Sequence, residues 1–309
     1  MANFKPDEIM IAGMTPADKA ALLAVYQHRC LSKDLLSKYL YGPAGLPGEI
    51  ACHKIDAMLL DGLLEPVRYG EGEKLEAFFL TTLGVKTVES IYGNELFQMY
   101  KRGKANVRLP GYASLIMTPT NINHQMHLNQ FGLEFESYTK GLSPYRYYDE
   151  KFMPPASDFM MPDGMIELPD RLLFLEMDMG TESSGRLAQK WNSYRMFLND
   201  PKGFYQGRPV TMLFLIEGVK NPRLRQQNTM RVLMRHLGNR VRDGFEAYFD
   251  TPENCHRIIQ TKFLSADTPM KAERERILKM LQDIHGFIVS RPSFLKQIDL
   301  ADGFYISSK

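Results

Sequence analysis

Cysteine is scarce in this chain: Cys30, Cys52 and Cys255 are the only three among 309 residues. Their odd number and wide scatter argue against a disulfide framework or a cysteine-paired zinc site, and point to a reducing cytoplasm. Long apolar runs are missing too. No stretch approaches the roughly 18 residues of a helical membrane span. The opening Met1-Ala2-Asn3-Phe4-Lys5 lacks the apolar core of a signal peptide. Internal repeats and low-complexity segments are absent. What remains is a soluble globular protein with no membrane partner, and 44% hydrophobic with 24% charged residues fit that class.

A strong charge of one sign is also lacking, since the formal net charge is +2. Its distribution is uneven. Residues 1–110 carry 13 basic and 13 acidic side chains, 111–199 carry 7 and 11, and 200–309 carry 18 and 12. An acidic middle followed by a basic C-terminal part suits a metal-like pocket flanked by a surface for polyanions. A length of 309 residues exceeds one small core, so two domains are expected.

Residues 1–105 read as a compact helical unit with a hairpin. Thr15-Pro16-Ala17-Asp18 is a helix start, with Thr15 as N-cap, followed by the apolar stripe Leu22, Leu23, Val25 and Tyr26. Ser32 caps a second helix, and Gly42 to Gly48 form a turn. The third helix is expected from Glu49 to Asp61, ended by Gly62. Segments from Leu63 to Arg68 and Leu75 to Leu80 flank a Gly-rich tip and predict a hairpin, and Thr82 opens a closing helix. Three helices, a hairpin and a closing helix make a winged helix-turn-helix pattern, joined onward through the basic stretch Lys101 to Pro110.

Residues 106–309 alternate helix and strand. Helices are expected at Asn121–Tyr138, Ser184–Leu198, Pro222–Arg242 and Met270–Ile288. Strands are expected around Asp163 and Glu176, at Val210–Ile216 and at Cys255–Phe263, with Thr139 to Pro155 as an aromatic loop. This is an α/β arrangement around a mixed sheet.

Three patterns carry chemistry. Met161-Pro162-Asp163-Gly164 and the run Leu172 to Asp178 deliver Asp163, Glu176 and Asp178 to neighbouring strand ends, with Glu176 and Asp178 on one face because strand side chains alternate. Converging carboxylates need a cation, and Mg²⁺ or Mn²⁺ is the expected cofactor. Such an ion polarises a phosphodiester and activates water, and Lys190 is placed to support the developing charge. The bland alternative is that these acids pair with arginines or cap the next helix. Secondly, the third helix of the N-terminal unit offers His53 and Lys54, and its wing Arg68 and Lys74, to phosphates or bases of double-stranded DNA. Asp56 and Asp61 share that helix, so protein contact is the competing use. Thirdly, Arg223, Arg225, Arg231, Arg235, Arg240 and Arg242 lie on one stretch without an intervening acid. With Lys220 they form a candidate phosphate-tracking helix. His124 and His127 share a helical face but lack a third zinc ligand, and Glu134 is a further candidate for the acidic pocket.

Asp163, the segment Phe174-Leu175-Glu176-Met177-Asp178-Met179-Gly180-Thr181-Glu182, then Leu187-Ala188-Gln189-Lys190 and Tyr194 resemble the plasmid replication-relaxation family of bacterial proteins. Leu59, Gly62, Leu63 and Leu80-Thr81-Thr82-Leu83-Gly84 look like its winged-helix landmarks. The resemblance implies a winged helix joined to a fold similar to PD-(D/E)XK nucleases, and a role in the replication or topology of a plasmid or other mobile element. By position, Asp163 matches that motif's first acid and Glu176 its second. Where the motif expects lysine this chain has Asp178, and Lys190 is placed as a migrated lysine. The expected fold is therefore α+β: a winged helix over 1–105 and a restriction-endonuclease-like domain over 106–309. The expected function is DNA binding in plasmid replication or relaxation with metal-dependent nicking, against a non-catalytic accessory or regulator. Replication proteins and a second copy of the chain are further candidate partners.

Overall fold

The structure is a computed structural model. It describes residues 8–39, 48–70, 72, 74–101, 109–140, 142, 144–154, 160–201, 203–237, 245–264, 295–300 and 303–308. Residues 42–47 of the turn expected over 42–48, most of the basic connection after Lys101, Arg240, Arg242 and the helix expected over 270–288 lie outside the described residues, and Gly48 begins a helix. The chain divides into two compact units, Met1–Glu134 and Phe135–Lys309, with the division inside one helix.

The first unit opens with α1 (Glu8–Gly13) and α2 (Pro16–His28). Thr15 and Asp18 form a reciprocal capping box at the start of α2, as the sequence pattern requires. Then follow β1 (Cys30–Ser32), α3 (Lys33–Tyr39), α4 (Gly48–Leu60), β2 (Leu64–Tyr69), β3 (Leu75–Leu80) and α5 (Thr82–Lys101). The strands pair antiparallel in the order β1-β3-β2. Helix, strand, two helices and a hairpin in this pairing make a winged helix. Strand β1 was not evident in the sequence, because three residues are too few to show a period. Leu22, Tyr26, Leu31, Leu36, Ile55 and Phe78 are buried in this unit. α6 (Tyr112–Leu115) and α7 (Pro119–Thr139) follow.

The second unit is built on a mixed sheet. β4 (Arg146–Asp149), β5 (Gly164–Glu167) and β6 (Leu172–Asp178) pair antiparallel. After α8 (Ser184–Asn199), β7 (Val210–Ile216) lies parallel to β6. After α9 (Pro222–His236), β8 (Glu246–Asp250) lies parallel to β7. The hairpin of β9 (Leu295–Leu300) and β10 (Gly303–Ser308) extends the β8 edge, giving the order β4-β5-β6-β7-β8-β10-β9. Strands β6 and β7 are buried along their whole length, which explains their near-continuous apolar runs.

Two expectations are corrected here. The expected strand Cys255–Phe263 is helical: α10 (Pro252–Ile258) runs into a single π turn. The overlooked signal is the start, where the Thr251 side chain accepts from the Asn254 N–H and Pro252 opens the helix. The neighbouring strand is β8, immediately before it. The aromatic loop also contains a strand, β4, whose Tyr147 and Tyr148 are buried.

Candidate functional site

Glu176 sits in an unusual row. Across the sheet it pairs in register with Phe214, which pairs with Phe249. α8 lies over this row: the Trp191 ring is 5.6 Å from Phe214 and 6.3 Å from Phe249. The carboxylate is 1% exposed, so it needs partners from the helix above it. Lys190 and Tyr194, one helical turn apart, supply them. The Lys190 ammonium donates to Glu176 Oε2 at 2.5 Å, and the Tyr194 hydroxyl donates to Oε1.

Asp163 enters from the residue before β5. Its Oδ2 accepts the Met177 N–H at 2.8 Å, which ties it to the strand that carries Glu176. Its charge acts on Glu176, Lys190 and Tyr194 alike. Glu182, in the β6–α8 loop, reaches Lys190 with Oε1 at 3.3 Å, and its buried Oε2 has no hydrogen-bond partner among the described residues. One ammonium thus pairs with two carboxylates, Glu176 and Glu182, and is acted on by the charge of a third, Asp163.

The electrostatics follow from this crowding. Burial pushes the Glu176 carboxyl up to about 7, against the pull of Lys190 and with a further push from Asp163. Burial alone would lower Lys190, but Glu176, Asp163 and Glu182 together hold its ammonium well above the usual lysine value. Burial and the Glu176 charge raise the Tyr194 phenol strongly, so it stays a donor.

Asp178 differs from the expectation. It shares the Glu176 face, yet Arg225 of α9 holds it through Nε to Oδ2 at 2.5 Å and Nη2 to Oδ1 at 3.0 Å. Its Oδ1 also accepts the Gly180 N–H at 2.8 Å. Fully buried and beside a guanidinium, Asp178 organises the β6–α8 loop. Among the described residues no three His, Cys, Asp or Glu side chains converge tightly enough to enclose an ion. The structure therefore brings together Asp163, Glu176 and Lys190, sets Asp178 apart with Arg225, and adds Glu182 and Tyr194. Sequence reasoning named neither of these two as a site residue. Spacing offered a signal only for Tyr194, four residues after Lys190.

The expected nucleic-acid contacts divide as well. His53, Arg68 and Lys74 are exposed. Lys54 is not available as expected, because Asp18, already the partner of the α2 cap, accepts from its ammonium at 2.9 Å. α4 also exposes Ile50, Asp56 and Leu60, so its outer face is mixed rather than basic. On α9, Arg223, Arg231 and Arg235 are exposed, whereas Arg225 turns inward to Asp178. Glu134 pairs with Lys38 at 3.8 Å and Gln130 at 3.3 Å. No described helix is long and apolar enough to cross a membrane.

Comparison with known proteins gives one family match: the model described as replication-relaxation fits residues 22–209. No curated protein matches the chain. Among solved structures, MepR, a transcription regulator of the Staphylococcus aureus multidrug efflux pump MepA, matches at 18% identity. That match covers 40% of this chain and 81% of MepR, with a TM-score of 0.24, too low to decide the fold.

Proposed function

Because this chain belongs to the replication-relaxation family, we propose that it acts on double-stranded DNA during replication of a plasmid or other mobile element, with a phosphodiester-cleaving site in its second unit. The observation that carries this reading is the meeting of Asp163, Glu176 and Lys190 around one buried carboxylate. The succession of parts is the one the PD-(D/E)XK resemblance implies: an acid before one strand, an acid on the next, and a lysine moved to the following helix. The winged helix, through His53, Arg68 and Lys74, docks on the duplex, and Arg223, Arg231 and Arg235 add phosphate contacts.

Mg²⁺ or Mn²⁺ is the cofactor this reading needs, although the described side chains do not enclose such an ion as they stand: Lys190 and Tyr194 occupy both oxygens of Glu176, and Asp163 accepts the Met177 N–H. The nearby acids offer oxygen only, and one buried oxygen, Glu182 Oε2, has no partner among the described residues. Asp163 and Glu176 would hold the ion, with water and phosphate oxygens completing the shell as Mg²⁺ commonly requires. An ion held there would polarise the phosphodiester and lower the pKa of a water. Lys190 keeps its proton and stabilises charge building on the phosphate. Tyr194 fixes the Glu176 carboxylate, and the row of Phe214 and Phe249 under Trp191 closes the inner side to water.

A second reading, a DNA-binding accessory without hydrolysis, is favoured by one observation: Glu176 is buried with both oxygens engaged by Lys190 and Tyr194. Mn²⁺ binding followed by electron paramagnetic resonance separates the two. The cleaving site takes up Mn²⁺, and Glu176→Gln weakens that uptake at least tenfold. Absence of Mn²⁺ uptake, with duplex affinity retained and falling steeply with salt, selects the accessory.

A further inference from the structure

The second unit holds a cleft distinct from the carboxylate cluster. It lies between the first turns of α9 and α10, at the carboxyl ends of the parallel strands β7 and β8. Its volume is about 510 Å³, within the range of small-ligand sites. The carboxyl edge of parallel strands is where open α/β sheets place their ligands.

The walls are polar and cationic. Lys220, Arg223 and Arg257 contribute positive charge, and Glu253, the single acid among the described lining residues, is already paired with Arg257. α9 is a 15-residue helix whose N-terminal end faces this cleft, and such an end favours an anion. A second feature is independent of charge. Gln226, 1% exposed, forms part of the wall. Its Nε2 donates to Asp250 Oδ1 at 3.4 Å, and that oxygen also accepts from the Thr251 N–H at 2.7 Å and from Asn254 Nδ2 at 2.9 Å. The Asp250 carboxylate fixes the amide with its nitrogen towards the acid. Gln226 Oε1 is thereby left buried without a partner among the described residues. A buried acceptor without a donor is costly, and a ligand hydroxyl or amino group relieves it.

We propose that this cleft binds a nucleotide unit, with its phosphate on Lys220, Arg223 and Arg257 and a sugar hydroxyl or base N–H directed at Gln226. The unit belongs either to a nucleic-acid strand or to a free nucleotide. The site shares no residue with the carboxylate cluster and stands whether or not that cluster cleaves.

Calorimetric titration of the full chain in EDTA tests it, so that metal chemistry plays no part. The probes are thymidine 5′-monophosphate, a 5′-phosphorylated oligothymidylate and inorganic phosphate. The nucleotide is expected to bind at least tenfold more tightly than inorganic phosphate. Arg223→Ala and Lys220→Ala should each weaken nucleotide and oligonucleotide binding about tenfold, whereas Lys140→Ala, an equal loss of charge at an exposed position outside the cleft, should weaken them less than about twofold. Oligonucleotide binding tighter than that of the mononucleotide by tenfold or more identifies a strand as the source, and equal binding identifies a free nucleotide. Equal losses in Arg223→Ala and Lys140→Ala, inorganic phosphate binding as tightly as the nucleotide, or no binding of either nucleotide probe overturns the proposal.

Discussion

Arg225 grips Asp178 with two nitrogens, at 2.5 Å and 3.0 Å, and with Nη2 also donates to the Glu182 carbonyl at 2.9 Å. One guanidinium therefore neutralises a buried acid and fastens the loop that carries Glu182. Removing one partner of a buried ion pair leaves an uncompensated charge. Arg225→Ala should cost about 3–5 kcal/mol. Arg231→Ala and Arg235→Ala, on the exposed side of the same helix, should stay within about 0.5 kcal/mol. Urea denaturation of the three variants checks this, and equal small effects would remove the structural role given to Arg225.

Lys190 is the sole cation with a bond to Glu176 among the described contacts. Lys190→Met should destabilise by about 3 kcal/mol, towards the low end for a buried pair because the lysine side chain is 24% exposed. Adding Glu176→Gln removes the stranded charge. The double variant should recover at least about 1 kcal/mol relative to the sum of the single changes. Strict additivity in a denaturation cycle would mean that the two side chains do not depend on each other.

Stability should also carry the signature of Glu176. Its carboxyl is raised by burial from the ordinary 4.5 to about 7. Over that window the folded chain binds the proton more tightly than the unfolded chain. The contribution is complete below pH 4.5 and is lost as pH rises through 7. Urea midpoints at pH 5 and pH 8 should therefore fall more for the wild type than for Glu176→Gln. Parallel slopes would contradict the burial of this acid.

In the winged unit, a Cβ added to Gly84 would lie 2.1 Å from the Leu63 carbonyl oxygen, whereas one at Gly93 of the same helix meets nothing within 4 Å. Gly84→Ala must push α5 away from the start of the wing and should cost about 1–3 kcal/mol or more. Gly93→Ala should stabilise by roughly 0.5–1 kcal/mol through helix propensity. Thermal melts showing the same sign for both would argue against this close approach.

Much of this is legible in the sequence. The N-cap at Thr15, the hairpin β2–β3 and the apolar runs of β6 and β7 are local signals, readable from neighbours in the chain. What failed was non-local. Whether Asp178 joins Glu176 or turns to a guanidinium depends on Arg225, 47 residues further on. Likewise, Lys54 looked outward on its own helix, but Asp18 lies 36 residues earlier. Glu182 reads as one more polar loop residue, because only its packing against Lys190 sets it apart. The strand expected at Cys255–Phe263 is a different kind of miss, because short apolar runs do not separate strand from helix by period alone.

The most direct test of the central claim is nicking of supercoiled plasmid by the purified chain with Mg²⁺ or Mn²⁺, run beside Asp163→Asn and a binding measurement on the same DNA. The account predicts conversion to the open circle by the wild type, loss of at least a hundredfold in rate for Asp163→Asn, on the order of removing one essential group from a charge-stabilising site, and unchanged DNA affinity. Intact plasmid with wild type under both metals, or equal nicking by the variant, would contradict it.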